Sequence, residues 1–407
     1  MKRNIATFFS ITMLFLIVGL ASCEEEVRGP LTKDNTIPSV VTGVSVQNLP
    51  GGAKISYSVP TDEDALFIEA SYERNDEQVS TRSSIFKDFV TIEGLNTTEA
   101  QEVSLVVVDR SDNKSAPVTV TINPEESPLK RLFESLELSP DFGGTRLRFN
   151  NEDGIKVEFL LYTIENGQRT YQQSAFIEGD QTDFHIFRGF PPTTTTFGVE
   201  AVDRWNNISG ILVEDILPLE EVLLDRLNME GVVLDGDETD RFGWVLSNLF
   251  NGVATGAGFH TDQTTPGSIV PPYTEGNHMF TVDMGTTAKL SRFKFWPRQG
   301  DCCATPFGHG DPRLFEIWGI DEIPADNGAS LEGWTRLVEN GEVIKPSGAP
   351  LGSNSAEDRA LASSGFEFNL PIEAPPVRFI RFVVFENWSG TKFTHVMELE
   401  FYGQIEE

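Results

Sequence analysis

The chain has 407 residues, with 31 lysines and arginines against 62 aspartates and glutamates, a formal charge of −31. So acidic a surface argues against nucleic acid or anionic lipid as a partner, because both need basic patches. Thirty phenylalanines and 39% hydrophobic residues can fill real cores, which excludes a disordered acidic tail, and three cysteines exclude a multi-bridge disulfide scaffold.

The N-terminus reads as an export signal. Lys2 and Arg3 form a basic head, an apolar run includes Met13-Leu14-Phe15-Leu16-Ile17-Val18, and no further charge appears before Glu24. The stretch is long enough for a membrane-spanning helix, but polar residues interrupt it. Leu20-Ala21-Ser22-Cys23 resembles the lipobox of bacterial lipoproteins. That implies a signal peptide over 1–22, acylation of Cys23 and attachment to a membrane through lipid. Cleavage would leave 29 basic against 62 acidic residues, a charge of −33. Residues 23–36 read as an acidic tether. Glu24-Glu25-Glu26 is either a solvated linker or, by resemblance, the signal that sends Bacteroidetes-type lipoproteins to the outer face of the outer membrane.

An internal repeat follows. Gly51-Gly52-Ala53-Lys54-Ile55-Ser56-Tyr57 aligns with Gly143-Gly144-Thr145-Arg146-Leu147-Arg148-Phe149, at an offset of 92. Val108-Asp109-Arg110 with Asn113 and Ser115 aligns with Val202-Asp203-Arg204, Asn207 and Ser209, at an offset of 94. Val44 and Val46, and Ile55 and Tyr57, alternate with polar residues as in half-buried strands. Turn-rich stretches such as Asn48–Gly52 separate them. The expectation is two β-sandwiches of immunoglobulin or fibronectin-III type, over 37–123 and 124–222, acting as spacers. The Asp-Arg-x-x-Asn-x-Ser tract reads as a turn whose Asp and Asn bond their own backbone.

From residue 223 to 407 the texture changes, with frequent Gly, Trp and Phe. Phe280–Gly285, Phe293-Lys-Phe-Trp-Pro-Arg-Gln299, Phe315-Glu-Ile-Trp-Gly319, Arg378–Phe382, Asn387-Trp388 and Glu398–Gly403 resemble the strands of a discoidin, or coagulation-factor-5/8-type C, domain. The resemblance implies a jelly-roll β-sandwich, and hence an all-β chain of three sandwiches. It also implies a carbohydrate-binding module. The whole arrangement is similar to surface lipoproteins of Bacteroidetes polysaccharide-utilisation systems. The implied partners are a glycan and an outer-membrane porin with its lid lipoprotein, at the outer membrane facing the cell exterior.

A saccharide site needs an aromatic face and a few convergent polar groups. Trp296, Arg298, Phe307, His309, Asn387 and Trp388 supply both, near strand ends or in loops. Each also has an ordinary reading: Trp296 capping the sandwich edge, Arg298 pairing with a carboxylate, Trp388 filling core. Phe307 is the preferred stacking ring, because Gly and Pro surround it and no strand period claims it. Discoidin-type domains often hold structural calcium. Asn251, Thr255 and Glu398 occupy the matching positions, with Asn251 where the pattern has an acid. Adjacent Cys302 and Cys303 read either as reduced thiols or as a strained disulfide. No zinc-protease, nucleophile-elbow or Walker motif is present. Three readings follow: a non-catalytic glycan-binding surface protein, an adhesion or scaffold protein with a protein ligand, and a glycoside hydrolase of unrecognised type.

Overall fold

The computed structural model describes residues 34–179, 181–262, 270–273, 276–300 and 305–406. The signal, Cys23, the glutamate run and the Cys302-Cys303 pair lie outside these residues. The described residues are all-β, as expected, with two short α-helices among them, Pro128–Glu134 and Ala356–Ser364. Among the described residues no helix is long and apolar enough to cross a membrane.

The first module packs two antiparallel sheets face to face. Thr42–Leu49, Gly52–Ser58 and Phe89–Ile92 form one; Glu77–Ser84, Ala65–Arg74, Gln101–Asp109 and Val118–Ile122 form the other. The period-2 pattern drives this: Ile68, Ala70 and Tyr72 point inward and join Ile55, Tyr57, Val103 and Leu105 in one core. The second module repeats the order, with Glu137–Asp141, Gly144–Asn151 and Gln181–Arg188 facing Gln168–Ile177, Val157–Glu165, Thr195–Asp203 and Ile208–Ile216. Helix Pro128–Glu134 opens it, its first turn capped by the Ser127 hydroxyl, which accepts from the Lys130 N–H at 3.1 Å.

Both repeated motifs have structural causes. Gly51 and Gly143 adopt φ of 62° and 63°, and a Cβ on Gly52 or Gly144 would fall on the carbonyl oxygen of Ile92 or Phe187. Asp109 Oδ1 accepts from the N–H groups of Ser111 and Asn113, both at 2.8 Å, and Asp203 Oδ1 from those of Trp205 and Asn207 at 2.8 and 3.0 Å. The tract is a turn held by its own side chains. Its second copy also joins modules, because Asn207 Nδ2 donates to the Gly94 carbonyl at 3.0 Å and the Trp205 ring covers Gly94.

The third module is built on one 19-residue strand, His278–Trp296. Its first half pairs with Val377–Asn387 and its second half with Glu398–Ile405. Between them the register shifts at Gly285, whose φ is 71° and whose N–H donates to Asp283 Oδ1 at 2.7 Å. The bend folds the sheet over a phenylalanine core that includes Phe280, Phe293, Phe295, Phe315, Phe382 and Phe401. The other face of the same sheet carries a smaller core around Met279, Trp334, Phe379 and Val383.

Candidate ligand-binding site

At the end of the third module, where strand His278–Trp296 runs out, three loops are sewn together. Phe259–His260 pairs antiparallel with His395–Val396, placing His260 opposite His395. The Thr261 hydroxyl accepts from the Thr394 N–H at 2.9 Å, and the Thr394 hydroxyl donates to the Gly310 carbonyl at 2.9 Å. Fully buried Asp311 completes the frame: its Oδ1 accepts the Arg298 backbone N–H at 2.9 Å and lies 3.1 Å from His395 Nδ1.

This stitching gathers three of the chain's five histidines. The His309 and His395 rings stack at 5.2 Å, and His260 lies 5.7 Å from His395 and stacks on Phe393 at 4.5 Å. Hydrogen bonding assigns their protons. His395 Nε2 faces the Gly310 N–H at 3.1 Å, so it is an acceptor. His309 Nδ1, 3.0 Å from that same nitrogen, is therefore the donor, and His309 Nε2 is left as an acceptor. His260 Nδ1 donates to the Thr261 carbonyl at 2.7 Å, so its Nε2 is likewise unprotonated. The His309 pKa is pushed down to about 4 by burial first, then by neighbouring His395 and Arg298. The ring is neutral at physiological pH.

Against this frame stands an aromatic and cationic face. The Arg298 guanidinium sits over the Trp244 ring at 5.0 Å, and Trp244 is partly exposed. Phe242 is 66% exposed and meets His260 edge-on at 5.4 Å, while Arg241 pairs with Asp262 at 2.7 Å. Phe242, Phe307 and His309 all adopt positive φ, at 61°, 59° and 52°. Such backbone for non-glycine residues concentrates where geometry serves a site.

Of the six residues expected to bind, Arg298 and His309 meet here. The other four do not. Phe307 is 0% exposed, packed at 5.4 Å against both Phe366 and Trp388, so it offers no stacking face. It belongs to the core, which needed a large ring beneath that loop. Asn387 is buried, its Nδ2 donating to the Thr391 and Phe393 carbonyls at 2.8 and 3.0 Å and its Oδ1 accepting from the Thr391 N–H at 2.9 Å. That side chain shapes its own turn. Trp388 lies edge-on against Phe307 with the Arg313 guanidinium 5.2 Å over its ring. Trp296 turns to helix Ala356–Ser364, its Nε1 donating to the Ser363 carbonyl at 3.1 Å and its ring covering Gly365.

Trp244, Phe242, His260 and His395 were not among the expected residues. The available signal was the pair of segments Phe259-His260-Thr261 and Phe393-Thr394-His395, whose His and Thr face one another across a two-stranded ladder.

The positions expected to hold calcium carry other contacts in this structure. Glu398 accepts from the Gly252 N–H with both oxygens at 3.1 Å and from the Val253 N–H at 3.1 Å, and Asn251 Oδ1 accepts from Val253 at 2.7 Å. A Cβ on Gly252 would come within 2.7 Å of the Arg226 guanidinium carbon. Two candidate ligands are thus occupied by N–H donors beside a cation, Thr255 is exposed, and the donor set does not fit calcium.

Three family models, each described as a domain of unknown function, match consecutive stretches: DUF4959 at 38–124, DUF5126 at 125–227 and DUF5000 at 250–403. No curated protein matches. A solved structure described as a SusE-like protein is 31% identical, covering 69% of this chain and 100% of its own, with a TM-score of 0.45. The chain belongs to the SusE-like family. A putative chitobiase fragment from Bacteroides thetaiotaomicron is 15% identical over 46% of this SusE-like chain and 95% of its own, at a TM-score of 0.31. The C-terminal domain of a Bacteroides fragilis chitobiase is 13% identical over 46% and 100%, at 0.29.

Proposed function

We propose that this SusE-like protein is a non-catalytic glycan-binding protein whose saccharide site is the Trp244–Arg298–His309 face. The observation that carries the reading is the Arg298 guanidinium held over the partly exposed Trp244 ring, beside the acceptor nitrogen of His309. A ring for the apolar face of a pyranose, a fork of donors and a fixed acceptor are what a sugar's hydroxyl pattern requires. Family membership supports the same reading. In it, acylated Cys23 holds the chain at the outer membrane facing outward, the two N-terminal sandwiches space the site from the surface, and a porin with its lid lipoprotein receives the captured glycan.

The test is a glycan array probed with the mature chain and with Trp244→Ala. Retention of one glycan class by the wild type, lost in a variant with an unchanged melt and with no product released, is the expected result. Equal retention by both proteins would move the site elsewhere. The anchor is tested separately: Cys23→Ala should no longer take up labelled fatty acid, and external protease should remove the wild-type protein from whole cells.

A further inference from the structure

Resting on the glycan reading above, we infer that the bound saccharide is acidic: the site selects a sugar residue bearing a carboxylate over its neutral counterpart. In the third module Arg241, Arg292, Arg313, Arg336, Arg378 and Arg381 each lie between 2.5 and 3.0 Å from a carboxylate oxygen. In a chain with 62 acids against 31 bases, such pairing is the default. Arg298 departs from it. Among the described residues its guanidinium makes no ion pair and no hydrogen bond; its contact is the Trp244 ring, and its backbone N–H is what reaches Asp311.

The ring contact consumes no N–H donors, so the whole fork stays available, and its planar geometry matches a carboxylate bidentately. The neighbouring groups fit the same partner. His309 Nε2 is an acceptor by the proton assignment above and can accept a hydrogen bond from a hydroxyl of the ring that carries the carboxylate. The two acids that frame the site are already committed: Asp262 to Arg241 at 2.7 Å, and Asp311, 0% exposed, to the Arg298 and Gly308 N–H groups. The acidic remainder of the chain opposes an anion only at range, and beyond about 8 Å physiological salt screens it.

The experiment is calorimetric titration of the mature chain with methyl glucuronide and methyl galacturonide, with their neutral glucoside and galactoside, and with acidic and neutral oligosaccharides retained on the array. Arg298→Gln and Arg298→Lys are titrated in parallel. The wild type should prefer an acidic sugar by about tenfold or more, the expected worth of a charge-assisted pair. Arg298→Gln should erase the preference by weakening acidic sugars more than neutral ones, and Arg298→Lys should keep part of it. Neutral sugars bound as tightly as acidic ones would overturn this inference and leave the glycan reading standing. A preference that survives in Arg298→Gln would overturn it too, by placing the anion elsewhere. Binding of neither class would overturn both.

Discussion

The guanidinium of Arg298 and the indole of Trp244 meet at 5.0 Å, joining the end of the third module's longest strand to a loop that enters the fold before that strand begins. Neither element makes a ligand face alone. Their juxtaposition separates residues on the proposed face from residues that hold its loops up.

Trp244 and Phe307 should therefore fail in different ways. Trp244→Ala should weaken saccharide binding by about tenfold or more, about 1.4 kcal/mol or above, with little change in melting temperature. Phe307→Ala empties a fully buried ring position and should cost about 3–5 kcal/mol of stability. Calorimetry and chemical denaturation on both variants check this. A Phe307→Ala protein that is stable but cannot bind would reverse the assignment.

His309 should make stability depend on pH. Its pKa in the folded chain is about 4, below the ordinary 6.5, so as pH falls the unfolded chain takes up a proton that the folded chain refuses. The contribution is fully present above the unfolded value and is lost as pH falls from 6.5 toward about 4. Buried His260 is shifted in the same direction. His309→Asn tolerates the positive φ and removes the titrating ring. Its melting temperature should drop less than the wild type's between about pH 7.5 and about pH 5. Identical drops would show that His309 is not the titrating group.

Calcium should leave the protein unmoved. With the Glu398 carboxylate taken by the Gly252 and Val253 N–H groups, melts in excess calcium and in chelator should coincide. Glu398→Gln should still destabilise, by about 1–3 kcal/mol, because the amide cannot accept the same set of N–H donors. A calcium-dependent rise of several degrees would contradict the loop geometry.

Arg381 is fully buried, bonded to the Thr281 hydroxyl and the Gly328 and Asp235 carbonyls and 3.0 Å from Asp237. Arg381→Met strands a buried carboxylate and should cost about 3–5 kcal/mol. Adding Asp237→Asn should recover part of that loss, as measured by the denaturation midpoint. No recovery would mean that the carbonyl bonds, and not the ion pair, carry the cost.

The all-β class and the duplicated sandwich were legible because their causes are local. Alternation such as that of Ile55 with Tyr57 buries one face of a strand wherever the strand goes. Gly52 and Gly144 recur because each copy brings a neighbouring carbonyl against the same backbone position. The Asp109 and Asp203 turns close within four residues.

The site was only half legible. A strand period places Phe293 and Phe295 inward and Trp296 outward, but it does not say that helix Ala356–Ser364 covers that outward ring. Glycine and proline around Phe307 mark a loop, yet a loop packed over a core needs an anchor, and this ring is it. The sequence by itself determined the fold class, the repeat, and Arg298 and His309 as groups with binding chemistry. Only the tertiary structure decided which aromatic they serve. Trp244, His260 and His395 reach them through a two-stranded ladder and the buried Asp311, contacts between distant segments that no local pattern encodes.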